Sequence, residues 1–168
     1  MEAKPKMKLI TNPAMLRWLW LSILVVVFDQ VSKWLAAGML DPYRPVPVVP
    51  LLNLTLMYNE GAAFSFLADA GGWQRWFFAG FAVMMSVLLV IWLLRLGRHE
   101  RLMAAALSLI LGGAMGNLID RVFTGRVVDF IDFYVGDWHW PAFNVADSSI
   151  TLGVVLLLLS GLREMNDE

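Results

Sequence analysis

Apolar residues are gathered into four long stretches of the chain, with polar segments between them. The stretches run over about residues 16–40, 76–96, 102–121 and 143–162. A helix that crosses the roughly 30 Å hydrocarbon core of a bilayer needs about 20 mainly apolar residues, and each stretch approaches or exceeds that length. The pattern therefore predicts four transmembrane helices, which we expect to form one integral membrane domain over residues 1–168.

Between the first two stretches the pattern changes from continuous apolar blocks to alternation. Residues 52–59 place leucines and a tyrosine at every second position and mainly polar residues between them, which is typical of a β-strand. The prolines at positions 45, 47 and 50 favour an extended edge segment just before this strand. Residues 126–134 also have strand composition. The predicted fold class is an all-α membrane protein whose four helices carry a small extracytoplasmic β cradle, centred on about residues 43–66.

Composition supports a membrane protein and excludes several other classes. Hydrophobic residues make up 59% of the chain and charged residues 16%, whereas soluble domains have about 45–50% and about 25%. The net charge of −1 gives no basic surface for a nucleic acid. The chain has no cysteine, which excludes disulfides, zinc–thiolate sites and a thiol nucleophile.

Basic residues are unevenly distributed over the ends of the predicted helices. The side that holds the N-terminus carries most of them, and such loops usually face the cytoplasm. They are Lys4, Lys6, Lys8, Arg17, Arg95, Arg98, Arg101 and Arg163. We therefore expect both termini to be cytoplasmic. The first stretch also resembles a cleavable signal peptide, but Asp29, Lys33 and the three later stretches favour an uncleaved first helix.

Charged and amide side chains inside the spans share one level, near the extracytoplasmic ends. Such groups are costly in a bilayer and are candidates for function. They are Asp29, Lys33, Asn117, Asp120, Arg121, Asn144 and Asp147. A single level is more typical of a reaction or binding site than of an ion path, which needs groups at several depths.

Each of these patterns also has a purely structural interpretation. Asp29 and Lys33, four residues apart, are spaced for an ion pair within one helix. Asp120 and Arg121 suggest an interfacial charge pair. Asn144 and Asp147 have the spacing of a helix cap. Asp129 and Asp132 lie in one predicted strand, and the pattern does not decide which of them faces the membrane. Gly112 and Gly116 have the small-residue spacing of closely packed helices.

The motifs of the common hydrolases are missing from the sequence. The chain has no HExxH pair, no GxSxG elbow and no phosphate-binding loop, and its two histidines lie far from the spans' serines. Carboxylates remain. Two aspartates that share one proton can hydrolyse an amide without a metal, because the ionised carboxylate activates water and the protonated one donates to the substrate.

Five segments together resemble the lipoprotein signal peptidases, also called type II signal peptidases. They are Asp29-Gln30-Val31-Ser32-Lys33, Tyr58-Asn59-Glu60-Gly61-Ala62-Ala63-Phe64, Gly113-Ala114-Met115-Gly116-Asn117-Leu118-Ile119-Asp120-Arg121, Val127-Val128-Asp129-Phe130 and Phe143-Asn144-Val145-Ala146-Asp147-Ser148. The resemblance spans all four helices. It implies an intramembrane aspartic endopeptidase whose catalytic residues are Asp129 and Asp147, with no metal and no cofactor. It implies supporting roles for Asp29, Lys33, Asn59, Gly61, Asn117, Asp120, Arg121 and Asn144.

The resemblance also implies a substrate and an inhibitor. The substrate is a diacylglyceryl-modified prolipoprotein, cut just before its lipidated cysteine in the bacterial inner membrane, and globomycin is the expected inhibitor. We further expect Asn53, Thr55 and Asn59 to contact the substrate backbone, while the leucine face of their strand meets lipid. Two alternatives remain, namely a transporter that uses the intramembrane charges and a lipoprotein-binding module without catalysis.

Overall fold

The computed structural model describes residues 11–61 and 71–166, with side chains up to residue 163. The first ten residues, and residues 62–66 of the predicted β region, lie outside the described part of the chain. A 3-10 turn over Pro13–Trp18 leads into the first of four long helices. The helices are α1 (Leu19–Met39), α2 (Trp73–Arg95), α3 (Arg101–Phe123) and α4 (Val145–Asn166). All four are long and apolar enough to cross a membrane, which confirms the prediction of four such helices.

Helix α3 lies at the centre of the bundle. Within the apolar part of each span, 61% of the residues are buried in α3 and only 17–28% in the other three helices, so those three present most of their surface outward. That outward surface is apolar, as lipid contact requires. At the end of the bundle where α2 joins α3, the core contains Met15, Leu93, Ala104 and Leu107, each at most 1% exposed.

Glycines let the other helices approach α3 closely. A Cβ atom at Gly112 would lie 2.7 Å from the Cβ of Val25 on α1, and one at Gly116 would lie 2.5 Å from a carboxylate oxygen of Asp29. A Cβ atom at Gly113 would collide with the backbone of Ala146 on α4. The close packing predicted from the spacing of Gly112 and Gly116 is confirmed.

A four-stranded antiparallel sheet lies at the other end of the bundle. Its strands β1 (Val46–Val49), β2 (Leu52–Asn59), β3 (Val127–Val135) and β4 (Trp138–His139) are ordered as in the sequence. The first two strands connect α1 to α2 and the last two connect α3 to α4. β1 is an edge strand that contains Pro47, as expected from its prolines.

A β-bulge interrupts the pairing of β2 with β3. Leu54 pairs with Ile131 and Met57 pairs with Asp129, so two residues of β2 lie opposite one residue of β3. The bulge ends the predicted alternation, because Thr55 and Leu56 are both buried. Asp129 and Asp132, which are three positions apart on β3, are both buried.

Candidate active site

The deepest layer of polar residues is an ion-pair cluster between α1 and α3. The Lys33 ammonium lies 2.8 Å from a carboxylate oxygen of Asp29 and 2.8 Å from one of Asp120. It also donates to the Asn117 side-chain oxygen at 2.9 Å. The pairing of Asp29 with Lys33 is confirmed, whereas the partner of Asp120 is Lys33 and not the neighbouring Arg121. All three charged side chains are at most 7% exposed.

This cluster is tied to the start of α4 and to β3. The second oxygen of Asp29 accepts the backbone N–H of Ala146 at 2.9 Å, in the first turn of α4, where free amides favour an anion. Asp120 accepts the backbone N–H of Val128 at 3.2 Å. Gln30 donates to Asp120 at 2.9 Å and to Asp29 at 3.2 Å. The cluster therefore fixes the positions of α4 and β3, the two elements that carry Asp147 and Asp129.

Asn144 and Asp147 form a reciprocal cap at the start of α4. The Asp147 N–H donates to the Asn144 side-chain oxygen at 2.9 Å, and the Asn144 N–H donates to the Asp147 carboxylate at 3.2 Å. The predicted cap is thus confirmed, and it orients the carboxylate. Asn117 donates to the other oxygen of Asp147 at 2.8 Å. Asp147 is held in place by α3 and by its own helix terminus.

Asp129 lies on β3 beside the same amides. The Asn144 side-chain N–H donates to Asp129 at 2.7 Å and the Asn59 side-chain N–H donates to it at 3.3 Å. Asn144 therefore contacts both aspartates. Burial, together with the nearby charge of Asp147, raises the pKa of the Asp129 carboxyl to about 7. At neutral pH this carboxyl holds its proton about half of the time.

Arg121 connects the end of α3 to the end of β2. Its guanidinium donates to the carbonyl of Gly61 at 3.0 Å and lies 5.4 Å from the ring centre of Phe78. The Gly61 N–H in turn donates to the side-chain oxygen of Asn59 at 2.9 Å. This chain of contacts holds Asn59 where it meets Asp129. Residues Ala62, Ala63 and Phe64 of the same sequence motif lie outside the described part of the chain.

Asp129 and Asp147 both face one open cavity of about 1010 Å³. Asn59, Asn117 and Arg121 line it as well, so five of the ten residues proposed from the sequence meet there. Apolar side chains of α4 and of the segment before it form its other wall; they are Trp140, Phe143, Ile150, Leu152 and Val155. The other five proposed residues do not line the cavity and support the residues that do. They are Asp29, Lys33, Asp120, Gly61 and Asn144. In the described residues, no group of three or more His, Cys, Asp or Glu is placed to hold a metal ion.

One expectation about the strand is wrong. Asn53 and Thr55 are only 6% and 2% exposed, and both donate to the carboxylate of Asp132, at 3.4 and 2.7 Å. They do not face the cavity, because the bulge in β2 separates them from Asn59. Of the three polar residues expected to contact substrate, only Asn59 lines the cavity.

Sequence reasoning also missed two positions that support the site. Gln30 lies inside the first motif, and a neutral polar residue next to Asp29 in an apolar span was a signal available from the sequence. Arg75 of α2 donates to the carbonyls of Arg121 and Val122 at 2.6 Å each, at the end of α3. Its contacts are long-range, and no local pattern marks them.

Comparisons with known proteins show which family the chain resembles. The family model for signal peptidase II matches residues 21–163. The chain is 56% identical over 147 residues to a lipoprotein signal peptidase of Acinetobacter baumannii, covering 88% of this chain and 84% of that one. It is 56% identical over 146 residues to a lipoprotein signal peptidase of Pseudomonas fluorescens, covering 86% of each.

Solved structures show the same fold. One bacterial membrane enzyme matches with a TM-score of 0.81 and 35% identity, covering 90% of this chain and 91% of the other. A second matches with a TM-score of 0.76 and 37% identity, covering 87% and 92%. With four apolar helices, a small sheet and relatives of this similarity, the chain is a multi-pass bacterial membrane protein that belongs to the signal peptidase II family.

Proposed function

We propose that this peptidase is an aspartic endopeptidase in which Asp129 and Asp147 hydrolyse the bond before the lipidated cysteine of a diacylglyceryl-prolipoprotein. The observation that carries the proposal is the convergence of these two carboxylates, on different elements, at one cavity, where Asn144 donates to both. Apart from Arg121, the other side chains that line the cavity are uncharged. In this function the four helices and the sheet act as a single membrane domain.

The two aspartates take complementary roles in the proposed reaction. Asp147 receives two N–H donors, from Asn117 and from the backbone of Asn144, which is an arrangement suited to a negative charge. Asp129 is the proton donor, because its raised pKa keeps it partly protonated at neutral pH. In the proposed reaction the two carboxylates share a single proton.

The reaction needs one water molecule and forms no covalent bond between the enzyme and the substrate. Asp147 takes a proton from water while the water oxygen attacks the scissile carbonyl carbon, and Asp129 gives its proton to the carbonyl oxygen. The tetrahedral intermediate then collapses. The C–N bond breaks, the proton held by Asp147 passes to the leaving nitrogen, and the signal peptide leaves as a carboxylic acid. The dyad recovers its proton from the hydroxyl of the intermediate.

The shape of the cavity suits a lipidated peptide. Polar groups that line it, including Asn59 and Arg121, are placed to contact the peptide backbone, and the wall formed by α4 is apolar. Acyl chains that remain in the bilayer hold the substrate near this wall, since each buried methylene contributes about 0.8 kcal/mol. The substrate therefore binds with its scissile bond at the level of the aspartates, where water is available.

The distribution of basic residues supports the proposed orientation. The short α2–α3 connection and the end of α4 carry arginines, and the sheet lies at the opposite end of the bundle. Positive residues favour the cytoplasmic side. We place both termini in the cytoplasm and the sheet and aspartates at the outer face of the inner membrane. Globomycin, a cyclic peptide, is proposed to occupy the same cavity as the substrate.

Cleavage of a purified diacylglyceryl-prolipoprotein tests the proposal. Asp129→Asn and Asp147→Asn nearly preserve shape and remove the charge, and each should reduce kcat by at least about 100-fold. Asp41→Asn is the matched control, since Asp41 is exposed and pairs only with exposed Arg44 in the described structure. Each variant must unfold at the wild-type temperature in detergent for its rate to be interpreted.

The alternatives give different results in the same experiment. If Asp147→Asn cleaves as fast as wild type, Asp147 is a helix cap without a catalytic role. If the wild-type chain binds the substrate and never cleaves it, the chain is a lipoprotein-binding module. Ion flux in liposomes that persists in Asp129→Asn would support a transporter.

A further inference from the structure

A second buried carboxylate on β3 has no part in the proposed reaction. Asp132 is 2% exposed, does not line the cavity, and has three polar partners. Thr55 donates to one of its oxygens at 2.7 Å, with Asn53 at 3.4 Å from the same atom, and the Nδ1 atom of His139 lies 2.7 Å from the other. A buried carboxylate with this many partners fixes the positions of the elements that carry them.

The charge state of Asp132 is consistent with this set of contacts. Burial acts to raise its pKa, but the hydrogen bonds from His139, Thr55 and Asn53 outweigh burial, and the pKa is lowered. Asp132 is therefore an ionised acceptor at neutral pH. His139 is about half exposed, and its ring stacks on Tyr134 at 5.5 Å between ring centres. The pair joins β3 to the short strand β4.

The segment that follows His139 forms part of the cavity wall. Residues 140–143, here called the rim, connect β4 to α4, and all four line the cavity. Trp140 donates its backbone N–H to Phe133 at 2.8 Å, and Phe143 donates its own to Ile131 at 3.1 Å. The two attachment points flank Asp132 on β3. The rim is therefore a short bridge over β3, with one end next to the Asp132–His139 contact.

We infer that Asp132 and His139 form a latch that holds the rim against β3 and thereby positions the apolar wall of the substrate cavity. β4 has only two residues, and its pairing with β3 consists of Tyr134 with His139 and Val135 with Trp138. A strand this short is weakly held by its backbone alone. The latch adds a side-chain hydrogen bond from β4 to a buried carboxylate of β3. Asp132 and His139 are positioning residues, and they act on substrate binding.

This inference deepens the proposed function and rests on it for the identity of the substrate. Loss of the latch should loosen the rim while the dyad keeps its own contacts, because neither Asp132 nor His139 bonds to Asp129, Asp147 or their amide partners. We therefore expect KM to rise and kcat to stay within about twofold of wild type, the pattern produced by loss of binding common to ground and transition states.

Hydrogen exchange of the Trp140 and Phe143 amides tests the latch without any catalytic turnover. In His139→Ala, exchange at Trp140 should accelerate roughly tenfold, as expected when one charged hydrogen bond to a half-exposed group is lost. His139→Asn, whose amide nitrogen can replace Nδ1, should restore most of the protection. His99→Ala alters the other histidine of the chain and is the matched control. Unchanged exchange in both His139→Ala and Asp132→Asn overturns the latch.

Kinetics on the same variants test its consequence for the substrate. KM should rise about three- to tenfold in His139→Ala and in Asp132→Asn. The KM of the double variant should be no higher than the higher of the two single-variant values, since both substitutions remove the same contact. Additive effects, or a fall in kcat at constant KM, overturn the inference. A wild-type chain that fails to cleave refutes the proposed function instead, and the exchange experiment still decides whether the latch exists.

Discussion

Replacement of Lys33 by methionine tests the role of the buried ion-pair cluster. Methionine has a similar length and no charge, so the change leaves two carboxylates, Asp29 and Asp120, without their common cation. The cluster goes from a net charge of −1 to −2 among side chains that are at most 7% exposed. Removal of one partner from a buried ion pair costs about 3–5 kcal/mol. We expect a loss of unfolding free energy in that range.

The same change should weaken catalysis. Lys33 donates to the side-chain oxygen of Asn117, and Asn117 donates to Asp147. Without Lys33 the side-chain oxygen of Asn117 keeps only the longer contact from Asn144, at 3.3 Å, so the amide is held less firmly in the orientation that serves Asp147. Activity should therefore fall even in the fraction of molecules that stays folded, which is measured by correcting kcat for the folded fraction.

The assay is reversible unfolding in mixed micelles, followed by circular dichroism as the fraction of denaturing detergent increases. Arg163→Met is the matched control: Arg163 is an exposed cation near the end of α4, and its loss should change stability by no more than about 0.5 kcal/mol. Adding Asp29→Asn to Lys33→Met returns the cluster charge to −1 and should recover part of the loss. A change below about 1 kcal/mol in Lys33→Met would refute the reasoning, because buried unpaired charge cannot be that inexpensive.

Three further predictions concern the aspartates and the packing around them. Because the pKa of Asp129 is raised to about 7, its proton is present below that pH and lost above it, so kcat/KM should fall as the pH rises through about 7. Gly113→Ala should destabilise the fold by about 1–3 kcal/mol through collision with α4, whereas Gly38→Ala, with open space around it, should be neutral or stabilising by up to about 1 kcal/mol. Arg75→Leu removes two hydrogen bonds at the end of α3; it should cost about 1–2 kcal/mol and lower substrate affinity through Arg121.

Each of these has a contradicting outcome and a control. A pH profile that stays flat through about 7 would contradict the raised pKa of Asp129, and Asp41→Asn should leave the wild-type profile unchanged. Equal thermal stability of the two glycine variants would show that α3 and α4 separate without cost. If Arg75→Leu keeps wild-type stability, water molecules replace the two hydrogen bonds that Arg75 donates to carbonyls at the end of α3. Calorimetry in detergent measures the glycine and arginine effects.

Span length and motif order made most of the fold predictable. A run of about 20 apolar residues has few alternatives to a transmembrane helix, because the bilayer leaves no water to bond an open backbone. The cap of Asn144 with Asp147 and the pair of Asp29 with Lys33 were also predictable, since each depends on a spacing of three or four residues within one helix. Local rules of this kind are readable from a single sequence.

The details of the sheet were less predictable, because they depend on contacts between distant segments. The bulge opposite Phe130 inverts the alternation of β2 and turns Thr55 away from the cavity, although its sequence pattern is that of a regular strand. The partners of Asp132 lie on β2 and β4, and one of them, Thr55, is 77 positions away from it in the sequence. No periodicity within β3 signals which carboxylate meets the cavity.

The contact between Asp29 and Ala146 has a consequence for biogenesis. These two residues lie 117 positions apart, in the first and last spans. During synthesis α1 enters the bilayer with only the contacts of Lys33 and Gln30 to Asp29, within its own helix, to reduce the cost of its charges. Asp120 and Asn117 arrive with the third span, and the amide of Ala146 with the fourth. The hydrogen bonds of the first transmembrane segment are therefore completed only when the last one is inserted, so a nascent chain without α4 holds Asp29 with one acceptor oxygen still lacking its backbone donor.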